Sequence, residues 1–81
     1  MKNLLQHIVS GILDNNKFKI EVDDTTEGFS KLKIITEPEN MGVIIGKQGK
    51  MIKSIRTLLK TKATLDRIGF SLEVEEGKIG K

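Results

Sequence analysis

The fold is decided by residues 38–59, PENMGVIIGKQGKMIKSIRTLL, in which a short loop bounded by two glycines separates two apolar segments. This loop, Gly46-Lys47-Gln48-Gly49, is called the GKQG loop below. The segment 41–45 before it is too apolar to expose and predicts a short buried helix. A longer helix after it is predicted by five apolar residues that share an arc of about 120° on a helical wheel: Met51, Ile52, Ile55, Leu58 and Leu59.

The GKQG loop has the composition of an anion-binding turn. Glycine adopts positive φ without steric cost, and its missing Cβ lets a ligand backbone approach the main chain closely. The loop also leads into a helix N-terminus, where unpaired amide hydrogens and the positive end of the helix dipole attract phosphate. Lys47 and Lys50 stand at its two edges. The alternative interpretation of the same residues is a plain helix–turn–helix corner without a ligand.

A nucleotide-binding P-loop does not fit this stretch, although Gly42 to Lys47 resembles one superficially. A P-loop needs four residues between its glycines and a Ser or Thr after its Lys, to hold magnesium. Here three residues separate Gly42 from Gly46, and Gln48 follows Lys47. The sequence therefore argues against a kinase or an NTPase.

Positive charge is concentrated beside the loop. The chain has a net charge of +3, but residues 41–65 contain six bases and no acid, while the segments on either side are mildly acidic. On the wheel of the second helix, Lys53, Arg56 and Lys60 lie opposite the apolar arc and form a stripe. This pattern favours a phosphate-binding surface; a lysine-rich solvated helix face is the alternative.

The remaining segments predict one further helix and three strands. Three-and-four spacing predicts a helix over residues 4–13, with Asn3 as N-cap and residues 14–16 as its stop. Alternation predicts strands at 18–23, 31–36 and 68–75, with a turn at 24–28. The order α-β-β-α-α-β predicts an α+β fold, a three-stranded sheet covered on one face by three helices.

Length and composition exclude several kinds of protein. Eighty-one residues can build one core, so we expect a single domain at 1–76 and a flexible tail at 77–81. The absence of cysteine excludes disulfides, thiolate nucleophiles and cysteine-ligated metals, and the single histidine, His7, is assigned no chemistry. We therefore expect no enzyme, no metal and no cofactor. No long apolar stretch suggests a signal peptide or a membrane helix, so a cytoplasmic protein is expected.

Aromatic residues are scarce. Phe18, Phe29 and Phe70 stand in or close to predicted strands, so we expect no stacking platform for bases near the loop. Any binding of nucleic acid should therefore be modest in affinity and loose in sequence preference.

These residues together resemble the KH domain signature, a G-x-x-G loop between two helices with isoleucines at fixed positions after it. The predicted element order is similar to that of the type II, prokaryotic KH arrangement. Over Leu4 to Val74 the chain resembles the small bacterial single-KH RNA-binding proteins of the KhpA family, with departures in the turn at 23–28 and in the tail after Glu76.

The resemblance implies a site for single-stranded RNA. Gly46, Lys47, Gln48 and Gly49 would clamp the nucleic-acid backbone, with about four nucleotides in an adjacent groove. Candidates for the groove floor are Gly42, Val43 and Ile45, and further phosphate contacts are Lys50, Lys53 and Arg56. We expect Ile44 to belong to the core, and Val43 and Ile45 to divide between core and groove.

The resemblance also implies partners and a cellular role. It suggests a homodimer, or a heterodimer with a larger KH-containing protein of the KhpB type, that acts as a cytoplasmic RNA chaperone or post-transcriptional regulator. No membrane or small-molecule substrate is expected. The competing hypothesis is a protein-interaction module that uses the KH fold for heterodimerisation or ribosome association.

Overall fold

The computed structural model describes residues 1–13, 17–24 and 26–77, and its element order is the predicted one. A single 3₁₀ turn, Lys47–Gly49, joins the second and third helices. In chain order the elements are α1 Lys2–Ile12, β1 Phe18–Asp23, β2 Phe29–Thr36, α2 Pro38–Ile45, α3 Lys50–Asp66 and β3 Gly69–Glu76.

The three described strands form one mixed sheet in the order β1-β2-β3. β1 pairs antiparallel with β2, with Ile20 opposite Ile34, and β2 pairs parallel with β3, with Leu32 opposite Leu72. A parallel pair needs a long crossover, which α2 and α3 provide. Because β3 is the last strand in this order, it lies at an edge of the sheet. It packs beside α3.

The three helices cover one face of the sheet, as predicted. Alternation along β2 turns every second side chain to that face, including the fully buried Ile34. The helices contribute matching apolar residues, and the shared core consists of Leu5, Val9, Leu13, Ile20, Leu32, Ile34, Ile44, Ile55, Leu59 and Leu72. The other face carries charged side chains, among which Lys33 and Glu75 form an ion pair at 3.6 Å.

The predicted boundaries of α1 need correction. Asn3 lies inside the helix, whose N-cap is Met1, so the predicted N-cap is wrong. The helix ends at Ile12, and the predicted stop at residues 14–16 lies outside the described residues. At the other end of the chain, the Gly77 amide donates to the Thr36 carbonyl at 3.0 Å, and the rest of the predicted tail lies outside the described residues.

The prediction that segment 41–45 is buried is wrong for its outer side chains. Ile44 is fully buried, but Val43 is 46% exposed and Ile45 is 37% exposed. An eight-residue helix presents only one side to the core, so the neighbours of Ile44 face solvent together instead of dividing. In α3, Leu58 departs in the same way and is 53% exposed.

Candidate nucleic-acid interface

The GKQG loop is built from backbone conformations that side chains rarely adopt. Gly46 ends α2 with φ 78° and ψ 172°, Gln48 has φ 57°, and Gly49 caps α3 with φ 75°. The Gly49 amide donates to the Gly46 carbonyl at 3.1 Å and closes the turn. Lys47 and Gln48 are exposed at its tip. The loop therefore joins α2 to α3 in four residues and presents two polar side chains to solvent.

Gly46 is required by the packing of the loop itself. A Cβ built there would lie 2.6 Å from Met51 Cβ and 2.7 Å from the Met51 backbone nitrogen. Its φ and ψ also fall in a region that only glycine occupies readily. The first turn of α3 thus packs directly on the Gly46 backbone, so this glycine has a structural role whether or not a ligand approaches.

Gly42 and Gly49 differ from Gly46, because nothing lies within 4 Å of a Cβ built at either position. Gly49 is favoured by its positive φ, whereas Gly42 stands inside α2, where alanine would be more stable. Neither the packing nor the backbone of the folded chain explains Gly42. Its open surface leaves the α2 backbone accessible beside exposed Val43 and Ile45.

The lysines around the loop have no acidic partner within the described residues. Lys47, Lys50 and Lys53 are exposed, and no ion pair involves any of them. Lys62, by contrast, pairs with Asp66 at 3.3 Å. The GKQG loop and the first turn of α3 therefore carry three cations that no acidic side chain among the described residues neutralises, an arrangement that favours an anion.

The predicted cationic stripe is divided in the structure. Arg56 reaches toward β3, and its Nη2 donates to the Leu72 carbonyl at 3.5 Å. Arg56 and Lys60 line a groove of about 630 Å³ between α3 and β3, a groove that Lys53 does not line. Arg56 thus faces a different environment from the lysines at the loop.

The sequence analysis predicted neither the groove between α3 and β3 nor the aromatic residue that lines it. Phe70 lines the groove and is half-buried against the core, so an aromatic ring does lie near the cationic helix. Alternation predicted a strand there, but the edge position of β3 beside α3 depends on long-range pairing. Gly69, next to Phe70, leaves room for another aromatic ring, since a Cβ built at Gly69 would lie 2.9 Å from the ring of Phe29.

The described residues offer neither a metal-binding cluster nor a helix that could span a membrane. In the ranges 1–13, 17–24 and 26–77, no cluster of three or more His, Cys, Asp or Glu side chains is placed to hold a metal ion. No helix in these ranges is both long and apolar enough to cross a bilayer.

Comparison with known proteins identifies the family. The model of the KhpA/KhpB KH domain matches residues 2–80. RNA-binding protein KhpA of Clostridium acetobutylicum is 35% identical over 75 residues, which cover 91% of this chain and 99% of that protein. RNA-binding protein KhpA of Chlamydia caviae is 34% identical over 79 residues, which cover 96% of this chain and 100% of that protein.

A solved structure shares the fold. The crystal structure of Era in complex with MgGDPNP and nucleotides 1506–1542 of 16S ribosomal RNA aligns with a TM-score of 0.67 and 16% identity. The alignment covers 95% of this chain and 30% of that one. The family resemblance inferred from the sequence is confirmed, and the chain belongs to the KhpA/KhpB family of KH domains.

Proposed function

We propose that this chain binds single-stranded RNA, with the GKQG loop as the clamp on the nucleic-acid backbone. The observation that carries the proposal is the open backbone at Gly42 and Gly49 beside three lysines without acidic partners. The relatives named RNA-binding protein KhpA support it. Binding without catalysis accounts for these features, so we propose no enzymatic activity.

The proposed contacts follow from charge and access. Lys47 and Lys50 meet phosphates as point charges, Gln48 hydrogen-bonds phosphate or sugar, and Lys53 extends the contact along α3. Gly42, Val43 and Ile45 form an apolar surface beside the loop against which bases lie. Single strands are favoured over duplexes, because only unpaired bases can turn toward such a surface.

The test is fluorescence anisotropy of a short single-stranded RNA with Lys47→Asp/Gln48→Asp. Its matched control is Lys2→Asp/Gln6→Asp, which makes the same replacements at exposed positions on α1. We expect the loop variant to lose at least about tenfold in affinity, as two charge-assisted contacts are removed, while the control stays close to wild type. Circular dichroism shows whether both remain folded. Equal affinities for the two variants would reject the loop as the clamp and favour the protein-interaction module.

We propose that a second copy of the chain packs on an uncharged stripe of α3. The stripe is exposed along its length and lies away from the cationic face, and its members are Met51, Ser54, Leu58, Thr61 and Leu65. Their spacing of three and four residues is that of a heptad seam. Leu58 and Leu65 are 53% and 75% exposed, a large apolar exposure for one helix.

The size of this stripe sets the expected strength of pairing. Fifteen residues span about 22 Å of helix, and with a helix width of about 10 Å the covered patch is well below a standard interface. Pairing of two chains alone is therefore weak, and RNA that engages both copies strengthens it. Sedimentation of the wild type, Leu58→Asp and the control Ser10→Asp, at an exposed position on α1, tests the surface. We expect only Leu58→Asp to lose self-association; a larger KH-containing partner of the KhpB type is favoured if the wild type never self-associates.

Two linked sites for short RNA segments suit a protein that remodels or regulates RNA. We accordingly propose a role as a cytoplasmic RNA chaperone or post-transcriptional regulator. The supporting argument is avidity: two weak clamps on one RNA bind far more tightly than either one, yet each releases readily. RNA crosslinking in cells, comparing the wild type with the Lys47→Asp/Gln48→Asp variant, would show whether bound transcripts depend on the loop.

A further inference from the structure

β1 forms an open edge of the sheet. It stands first in the strand order, and within residues 1–13, 17–24 and 26–77 no strand pairs with its outer side. Its residues Phe18–Asp23 pair with β2 in unbroken register, so neither a proline nor a bulge interrupts the edge. Proline and bulges are two devices by which proteins keep an edge strand from pairing with another chain. The β1 edge is therefore available to an added strand.

The hydrogen bonds of the sheet identify the main-chain groups on this edge. The Gly77 amide donates to the Thr36 carbonyl at 3.0 Å, so even-numbered residues of β2 bond toward β3 and odd-numbered ones toward β1. The odd-numbered residues of β2 pair with odd-numbered residues of β1, as Lys33 does with Glu21. The N–H and C=O groups that face away from the sheet are those of Phe18, Ile20 and Val22.

Two concavities flank the β1 edge, one on each face of the sheet. The first, of about 300 Å³, lies between α1 and β1 and is lined by Lys2, Gln6, Phe18, Lys19 and Ile20. The second, of about 660 Å³, lies on the charged face and adjoins Glu21 and Asp23. Lys2 and Ile20 line both of them. An added strand directs successive side chains to opposite faces, and at this edge each face offers a recess for them.

The charges beside β1 indicate the chemistry of an incoming segment. Lys2 is exposed beside the N-terminal half of the strand, and no ion pair within the described residues involves it. Lys19 stands in the same half and pairs with Glu21 at 3.6 Å, a contact that is weak because both side chains are exposed. Acids occupy the C-terminal half. An antiparallel segment with carboxylates in its own C-terminal half therefore matches Lys2 and Lys19.

A second copy of β1 matches this edge less well. Antiparallel self-pairing centred on Ile20 would place Lys19 opposite Glu21 of the second copy, which is favourable. It would also bring the two Lys2 side chains together, because Lys2 lines both concavities beside Ile20. Like charges near the centre of an interface oppose pairing. An acidic segment has no such conflict.

We propose that the β1 edge binds an extended acidic segment of a partner protein by antiparallel strand addition. Main-chain hydrogen bonds to Phe18, Ile20 and Val22 give the affinity, and carboxylates beside Lys2 and Lys19 give the selection. β1 and β3 lie at opposite edges of the sheet, and α3 packs beside β3. The partner segment therefore leaves the GKQG loop open, and this inference does not depend on RNA binding.

The test is fluorescence anisotropy with a short labelled peptide in which valine alternates with threonine in the first half and with glutamate in the second. A control peptide carries lysine in place of glutamate. Lys2→Asp/Gln6→Asp changes two exposed side chains of the concavity between α1 and β1. Its affinity for the acidic peptide should fall at least about fivefold, because attraction becomes repulsion at Lys2. Lys47→Asp/Gln48→Asp should bind the acidic peptide as the wild type does.

Amide hydrogen exchange of the wild type, followed by NMR, tests strand addition directly. Saturation with the acidic peptide should slow exchange at Phe18, Ile20 and Val22 by at least about tenfold, because their outward amides become hydrogen-bonded. The amides of Lys19 and Glu21 already bond toward β2, so their exchange should change little. This measurement needs no substitution and therefore holds even if a variant fails to fold.

The remaining outcomes would overturn the proposal. Failure of the wild type to bind the acidic peptide, or equal affinity for the acidic and the lysine peptide, rejects the acidic segment as the occupant. Loss of peptide binding in Lys47→Asp/Gln48→Asp alone would show that the peptide binds the loop. Peptide binding without protection of Phe18, Ile20 and Val22 rejects strand addition. Protection of the same amides in the free protein at high concentration would assign the edge to a second copy.

Discussion

Replacing Gly42 by alanine should stabilise the fold and weaken RNA binding at the same time. Gly42 is exposed inside α2, and a Cβ built there meets nothing within 4 Å. Alanine in a helix interior is favoured over glycine by about 0.5–1 kcal/mol. In a domain of this size, 1 kcal/mol corresponds to a shift in melting temperature of about 4–8 °C. The melting temperature of Gly42→Ala should therefore rise by roughly 2–8 °C.

The binding effect of Gly42→Ala has a separate cause. The added methyl group occupies the surface at which we place the RNA, and it displaces the bases or backbone from the lysines. Loss of one hydrogen bond to a charged group is worth about 1.5–3 kcal/mol, so affinity should fall by roughly tenfold or more. Thermal circular dichroism and RNA anisotropy on the same samples measure both effects.

The matched control for Gly42→Ala is Gly11→Ala. Gly11 is also an exposed glycine in a helix, near the end of α1, and a Cβ there also meets nothing within 4 Å. Gly11→Ala should be neutral or stabilising, with RNA affinity unchanged. The reasoning is refuted if Gly42→Ala lowers the melting temperature, or if it gains stability and binds RNA as the wild type does.

Three further predictions concern the loop, the C-terminal end of α3 and the charges that bind phosphate. Gly46→Ala should destabilise the protein by about 3 kcal/mol or more in chemical unfolding, because it combines backbone strain with the 2.6 Å contact to Met51 Cβ; a change below about 1 kcal/mol would contradict the packing described. Arg67→Gly should raise the free energy of unfolding by about 0.5–1 kcal/mol, since Arg67 ends α3 with φ 59°, and an unchanged value would show that this conformation carries no strain. RNA affinity of the wild type should fall roughly twentyfold from 50 to 200 mM salt, for three phosphates at a slope of about −0.7 each; an affinity independent of salt would exclude the electrostatic clamp.

The helices and strands could be predicted from the sequence because each one must bury one face, and this need sets the spacing of its apolar residues. Alternation along β2 and the three-and-four spacing of Ile55 and Leu59 both reflect one buried face. The exposure of Val43, Ile45 and Leu58 could not be predicted, because periodicity does not distinguish a side chain that faces the core from one that faces solvent beside it. The burial of these residues depends on how far each helix is covered by its neighbours.

The loop of the candidate site could be predicted from the sequence, whereas the surroundings of Arg56 could not. The GKQG loop is contiguous, so its glycines and lysines could be identified together from their spacing. The environment of Arg56 depends on the pairing of β3 with β2, which brings Leu72 beside a residue 16 positions earlier. No pattern within α3 indicates that contact. Helical spacing alone therefore grouped Arg56 with Lys53 and Lys60, although the fold gives it different surroundings.

The division of α3 into separate faces leads to a prediction about RNA length. The core face, the cationic face and the uncharged stripe occupy different sides of one helix, so a change on the stripe should leave the loop clamp intact. If two chains pack their stripes in antiparallel fashion, the 17-residue helix places the two loops about 25 Å apart. Leu58→Asp should then bind a short RNA that reaches one loop as the wild type does.

A longer RNA that spans both loops should bind the wild type and Leu58→Asp with different affinities. The wild type gains avidity from the second clamp, typically 100-fold or more when the linkage fits the distance, whereas Leu58→Asp gains only a statistical factor of about two. Anisotropy titrations with an RNA series of increasing length measure the point at which the curves separate. Parallel curves at every length would show that the stripe does not join two RNA sites, because dimerisation through any other surface would leave Leu58→Asp bivalent.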